Sequence, residues 1–159
     1  MDKITPCLWF DGNALEAAQF YTAVFAKSEI VDVHRSRTDT PGAKAGGVLM
    51  VKFKLAGQDY LAMNGGPHFK FNEAISLSVN CEDQAEVDRL WSGLTADGGK
   101  PVQCGWLKDK HGLSWQIVPK RLPELLSDPD PAVGKRVMQA MMQMVKLDIA
   151  KLEEAARAG

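Results

Sequence analysis

The feature that most constrains this chain is a repeat of pattern. Leu8 to Phe25 (LWFDGNALEAAQFYTAVF) lies over Leu77 to Leu94 (LSVNCEDQAEVDRLWSGL) without a gap, and Ala18, Tyr21 and Phe25 then fall on Val87, Leu90 and Leu94. Each copy reads as a short apolar strand, a polar break that can cap a helix, and an amphipathic helix. The first copy starts with a strand over Ile4–Phe10, a cap at Asp11-Gly12-Asn13 and a helix of about three turns carrying Ala14, Ala17, Ala18, Tyr21, Val24 and Phe25. Strands come next over 29–37, Val48–Leu55 and Asp59–Met63, the last two joined by a hairpin turn at Ala56-Gly57-Gln58. After Asn64-Gly65-Gly66-Pro67 the order begins again. Ala74–Val79 reads as a strand, Asn80–Asp83 as a capping-box-like start, and Val87, Leu90, Trp91 and Leu94 as one helical stripe ended by Gly98-Gly99. Short strands around Pro101–Leu107 and Leu113–Val118, with a turn at Lys110-His111-Gly112, complete it. The expectation is a duplicated βαβββ module.

The C-terminal stretch matches neither copy. Ser127-Asp128-Pro129-Asp130-Pro131 is a stop followed by a cap-plus-proline start. From there to about Ala156 one long helix is expected, with Val137, Met141, Met144, Val145, Asp148 and Leu152 on one side and Met138, Met142 and Ile149 widening the apolar face. A Met-rich face of this kind suits core or dimer packing. The chain therefore divides into a first module (1–66), a second (67–122) and a helical tail (123–159) within one α+β domain.

Composition narrows the class. Nineteen Lys and Arg against twenty Asp and Glu leave a net charge of −1, without the basic excess of a nucleic-acid binder. No apolar run approaches the roughly 18–20 residues that span a bilayer, and the start MDKITPCLWF has no signal-peptide pattern. Cys7, Cys81 and Cys104 form no CxxC pair, so reduced thiols and a cytoplasmic location are expected.

The paired modules, the ITPCLWFDGN opening, the strings GGPHFKFNEAISLSVNCEDQAEVDRLW and CGWLKDKHGLSWQIVPKRL, and the DPDP-led terminal helix resemble, over nearly the whole chain, the PhnB-like branch of the glyoxalase/bleomycin-resistance/extradiol-dioxygenase superfamily. This superfamily is also called vicinal oxygen chelate, and the closer group is often described as 3-demethylubiquinone-9 3-methyltransferase. The resemblance implies two βαβββ units whose sheets curl into a cup, a dimer, and ligands held inside the cup. Metal-using members carry His, Gln or Glu at equivalent strand positions. Here those positions fall on Thr5, Pro6 or Cys7, on Ala74 and on Gln116. Ala and Pro offer no ligand atom and Gln116 offers one neutral oxygen, whereas catalytic zinc takes about three protein ligands. No metal and no cofactor are therefore expected. His34, His68 and His111 lack a chelating partner at i+2 or i+4, and Tyr60, Asp109 and Lys110 show no nucleophile–base spacing. Methyl transfer from S-adenosylmethionine also lacks its usual glycine-rich strand-to-helix loop, and βαβββ is not the alternating order of such domains.

Strand alternation supplies the candidate binding residues. Ala74, Ser76 and Ser78 share one face, opposite Ile75, Leu77 and Val79; Ser114 and Gln116 share a face, opposite Leu113, Trp115 and Ile117. If the apolar sets pack on the helices, the other face is lined by Ser76, Ser78, Ser114 and Gln116, with Trp9 and Trp106 as aromatic walls. Small hydroxyls, one amide and aromatic rings suit a small neutral or aromatic organic molecule. The sequence thus favours metal-free binding in a homodimer, with no nucleic-acid or membrane partner. The competing class is an enzyme, either a methyltransferase or a metal-dependent glyoxalase-like isomerase or lyase.

Overall fold

In the computed structural model, which describes residues 1–159, the chain separates into two units, Met1–Phe71 and Asn72–Gly159. The first runs β1 (Cys7–Phe10), α1 (Ala14–Val24), β2 (Glu29–Arg35), β3 (Val48–Leu55) and β4 (Gln58–Asn64). Its sheet has the order β1-β4-β3-β2, with β1 parallel to β4 and the other pairs antiparallel. The second runs β5 (Ser76–Cys81), α2 (Gln84–Thr95), β6 (Lys100–Pro101), β7 (Trp106–Lys108) and β8 (Ser114–Pro119). Its order is β5-β8-β7-β6, again with one parallel and two antiparallel pairs. The duplication inferred from the pattern is thus a duplication of topology.

In each unit the helix covers one face of its sheet. Ala14, Ala17, Ala18 and Tyr21 of α1 are buried, as are Leu8, Phe10, Val51, Phe53, Leu55 and Ala62 of the strands. The register pairs Leu8 with Ala62 and Val51 with Ala62, so these side chains share the helix-facing side. In the second unit Val87, Leu90, Trp91 and Leu94 pack with Leu107, Trp115 and Ile117 in the same way. Burying side chains of this size stabilises by roughly 1.5–3 kcal/mol each.

The turns and caps follow local chemistry, with one substitution of role. Ala56 (φ +50°) and Gly57 (φ +85°) are both left-handed, giving a two-residue hairpin loop whose twist suits the flanking strands. Asp83 caps α2 by accepting from Glu86 N at 2.9 Å, while Glu86 Oε2 accepts from Glu82 N at 2.9 Å. At α1, however, Asn13 makes no side-chain cap. Asn64 at the end of β4 does that work: its Oδ1 accepts from Ala14 N and its Nδ2 donates to Val48 O, both at 2.9 Å.

Several expected boundaries move. β1 begins at Cys7, because Ile4 is exposed and Thr5 Oγ1 turns back to Asp2 O. β5 begins at Ser76: Asn72 Oδ1 accepts from Ala74 N in a turn, which leaves Ile75 exposed outside the strand rather than packed on a helix. The Pro101–Leu107 segment splits, since Cys104 (φ +61°) and Gly105 (φ +84°) turn the chain between β6 and β7.

The tail departs most. Instead of one long helix it forms α3 (Arg121–Leu126), α4 (Pro131–Met141) and α5 (Ile149–Arg157). Asp130 and Asp148 cap α4 and α5, accepting from Ala132 N at 3.0 Å and Lys151 N at 3.2 Å. Folding α5 back on α4 buries Val137, Leu147 and Leu152 with Leu122 and Leu125 in a separate small core. Arg136 then donates to the last carbonyls of α5, Ala155 O at 3.0 Å and Ala156 O at 2.7 Å. A straight helix would have left that stripe without these partners. No helix is long and apolar enough to cross a membrane.

Candidate functional site

The helix-free face of each sheet is where chemistry is free to vary. On the first sheet the alternation and register place Cys7, Trp9, Met50, Leu61 and Met63 together, with Trp9 opposite Met63 and Met63 opposite Met50. This face is apolar. Trp9 is half-buried and already committed: its Nε1 donates to Gly66 O at 2.9 Å and its ring meets Phe69 edge-on, centroids 4.9 Å apart. A Cβ at Gly65 would sit 2.4 Å from the indole, so only glycine fits beneath it. Trp9 is thus a ring held in place by the loop after β4.

On the second sheet the same topological positions are polar. Ser76 pairs with Ser114, Ser78 with Gln116, and Gln116 with Trp106 on its other side. Five of the six residues expected to contact a ligand therefore gather on one face of one sheet, while Trp9 lies on the first sheet. Their accessibilities differ. Ser78 is exposed, Ser76, Trp106 and Gln116 are half-buried, and Ser114 is 1% exposed. The Ser114 hydroxyl has no hydrogen-bond partner, so it shapes the floor of the face rather than offering a contact. Gln116 Nε2 donates to Ser76 Oγ at 3.0 Å, which fixes the amide and leaves its carbonyl oxygen as the acceptor. Beyond this pair Lys108 forms an ion pair with Glu73, whose carboxyl is held below the usual range chiefly by that hydrogen bond.

Two of the other titratable candidates, Asp109 and Tyr60, have structural employment. Asp109 is buried; its Oδ1 accepts from His111 N (2.8 Å) and Leu113 N (3.2 Å), and its Oδ2 from Trp115 Nε1 (2.8 Å). It builds the turn into β8. Tyr60 pairs with Phe53 on the helix side of the first sheet, ring centroids 5.6 Å apart, and burial pushes its hydroxyl pKa up, away from acid–base work near neutrality.

The residues do not fit a divalent ion of the kind the superfamily uses. Cys7 is exposed, Ala74 has no ligand atom and lies outside β5, and the Gln116 amide is neutral and tied to Ser76. No group of three or more His, Cys, Asp or Glu side chains converges anywhere in the chain. The glycine pairs do not suit a nucleotide either. Gly46-Gly47 closes the β2–β3 connection through Gly46 N–Ser36 O and Gly47 N–Lys44 O (both 2.8 Å), and Gly65-Gly66 comes directly after β4.

An open cleft of about 480 Å³ lies elsewhere in the second unit, lined by Glu82, Lys120, Arg121, Glu124, Ile149 and Glu153 among others. None of the six candidate residues lines it. Its cations are spoken for: Lys120 pairs with Glu82 at 2.5 Å, and Arg121 with Glu153 and Glu124 at 3.0 and 3.2 Å. Its capping aspartates, Asp83 and Asp148, are turned to their own helices. It is the seam where the tail meets α2.

Comparison with known proteins agrees with this architecture. The 3-demethylubiquinone-9 3-methyltransferase family model matches residues 2–118. A PhnB protein from Bacillus cereus is 38% identical and superposes with a TM-score of 0.67 over 74% of this chain and 99% of that chain. Protein PA1353 from Pseudomonas aeruginosa, 19% identical, has a TM-score of 0.63 over 75% of this chain and 98% of its own. The fosfomycin resistance protein FosX from Listeria monocytogenes, 16% identical, shares the fold with a TM-score of 0.52 over 78% and 97%. No curated protein matches the sequence. The repeated βαβββ topology and the match over most of its length place the chain in the PhnB-like 3-demethylubiquinone-9 3-methyltransferase family, with the glyoxalase/bleomycin-resistance fold.

Proposed function

We propose that this chain is a binding member of its family, taking a small neutral or aromatic organic molecule on the polar face of its second sheet without a metal ion, in a cytoplasmic homodimer. The observation that carries the reading is the Gln116–Ser76 hydrogen bond beside Trp106. A pre-oriented carbonyl oxygen next to a half-buried indole offers one directional hydrogen bond and one stacking surface. That is the usual recipe for recognising a ring that bears a donor. Ser78 adds an exposed hydroxyl in the adjacent register position. The enzyme readings, methyl transfer or metal-assisted isomerisation, gain no support from Asp109 or Tyr60, which are occupied structurally.

The test is a fragment screen by saturation-transfer NMR with neutral phenols, quinones and aromatic amides. Losing one neutral hydrogen bond is worth roughly 0.5–1.5 kcal/mol, so Gln116→Ala should weaken hits by about 2–13-fold. Trp106→Ala should weaken them at least as much, since stacking adds roughly 0.5–1.5 kcal/mol beyond the buried area. Glu124→Gln, in the separate cleft, should change nothing. Hits lost with Glu124→Gln and kept in the two sheet variants would move the site to the cleft. Saturable binding of S-adenosylmethionine, with turnover abolished by sheet-face variants, would replace the binding reading with the methyltransferase one.

A further inference from the structure

The family match covers residues 2–118, and α3, α4 and α5 follow it. They meet the matched region at α2 and at the turn between β6 and β7. Cys104 N donates to Met144 O and Gly105 N to Val145 O, both at 2.8 Å. These two residues hold left-handed backbone conformations, unusual for a cysteine, and the very next residue is Trp106. Gly105 also accepts from Ile117 N at 2.8 Å, and Trp106 closes the turn by donating to Gln103 O at 3.1 Å.

The fit is steric as well. A Cβ added at Gly105 would lie 2.9 Å from Leu147 Cδ1 and 3.0 Å from its Cγ, so the Leu147 side chain is seated directly on the turn. Leu147 is fully buried and is held from behind. Gln84 Nε2 donates to Leu147 O at 3.0 Å, Gln84 Oε1 accepts from Ile149 N at 2.8 Å, and Lys146 pairs with Asp88 at 2.8 Å. The stretch Met144–Leu147, between α4 and α5, is therefore pinned to α2 on one side and pressed against the Cys104–Gly105 turn on the other.

We propose that the tail is a positioning device for Trp106, and that Leu147 is its positioning residue: by fixing the Cys104–Gly105 turn it sets where the Trp106 indole stands beside Gln116, and so which rings that face accepts. The inference rests on the reading of Trp106 as a ligand wall only for its consequence in binding; the positioning itself is independent of any ligand.

The test uses the full chain labelled with 5-fluorotryptophan, whose four residues give separate ¹⁹F resonances, the Trp106 signal being assigned with Trp106→Phe. Leu147→Ala should shift or broaden the Trp106 resonance and leave that of Trp9 in place. Leu152→Ala, a truncation of an equally buried residue in the same tail core, should lower the melting temperature comparably yet leave Trp106 where it was. Leu147→Met should restore the wild-type signal. If Leu147→Ala melts at the temperature of measurement, Leu147→Val carries the same comparison with less lost volume. Equal movement of Trp106 in the 147 and 152 variants, or no movement in either, would overturn the proposal. In the fragment screen Leu147→Ala should weaken stacking ligands several-fold while Leu152→Ala does not. A Trp106 signal that responds as expected in a protein that binds no fragment would leave the positioning intact and sink the binding reading alone.

Discussion

Replacing Asp109 tests how β8 is held in register. Its carboxylate is 3% exposed and receives three donors, of which Leu113 N and Trp115 Nε1 are themselves buried. The third, His111 N, lies in the turn and is part-buried. Asp109→Ala orphans the two buried donors, each at roughly 1–3 kcal/mol, for a total near 4 kcal/mol; release of a buried charge offsets part of this and leaves about 3. Asp109→Asn keeps a carbonyl oxygen for the backbone amides but turns an NH₂ against the indole N–H, orphaning one donor at about 2 kcal/mol. For a chain of this length roughly 2–4 °C of melting temperature corresponds to each kcal/mol, so the losses should be about 10 °C and about 6 °C. The assay is thermal and urea unfolding followed by circular dichroism, extended to a double-mutant cycle with Trp115→Phe. Without the indole N–H, Asp109→Asn should cost less than about 1 kcal/mol. An Asp109→Asn cost that is the same with Trp115 or Phe at that position would refute the assignment of Oδ2 to the indole.

Cys81 is fully buried, and burial first, then the Glu86 charge, pushes its thiol up to about 12. The neutral thiol is favoured on folding, so its contribution is intact below about pH 9 and falls by roughly 1.4 kcal/mol per unit as pH rises towards 12. Cys81→Ala should flatten the alkaline limb of the pH–stability curve, and a thiol reagent at pH 8 should label the exposed Cys7 while sparing Cys81 until unfolding; rapid labelling of Cys81 in the native state would contradict this. Melts should be indifferent to chelator and to zinc, nickel, manganese or magnesium, and a rise of several degrees abolished by Gln116→Ala would overturn the metal-free reading. Light scattering should return twice the 17.4 kDa chain mass, because Met138, Met142 and Val145 leave an apolar patch on the tail; a mass near 17.4 kDa would end the dimer proposal.

The parts of the fold legible in the sequence are those that depend on near neighbours. Period-3.6 apolar stripes and turn residues locate α1, α2 and the hairpin at Ala56-Gly57, since each is decided within a few residues. Asn64 was not legible as the cap of α1, because its partner Ala14 is fifty positions away and only the parallel β1–β4 pairing brings them together. The same applies to Asp109, whose role depends on where the turn before β8 aims it. The tail did carry a signal. Asp148 lies on what would be the apolar stripe of a straight helix, and a carboxylate there, followed by Ile-Ala-Lys-Leu, is an N-cap rather than a core residue.

The two copies also differ in the chemistry of their helix-free faces. Their helix-facing positions stay apolar, Leu8 and Phe10 in one and Leu77 and Val79 in the other, because close packing against a helix tolerates little else. Their helix-free positions diverge in kind. Trp9 with Met63 and Met50 occupies the register that Ser78 with Gln116 and Trp106 occupies in the second unit. At the central position of each sheet the change is from Met63 to Gln116, side chains of similar length, so size alone does not account for it. A half-buried amide costs desolvation unless it is bonded, and Gln116 offsets part of that cost by donating to Ser76, which leaves its carbonyl oxygen as an acceptor. A fold needs no such acceptor on this face, whereas the ligand proposed above, with its donor, would use it. On the proposed binding reading, residue 116 is therefore the point at which the duplicated scaffold departs from what stability alone requires.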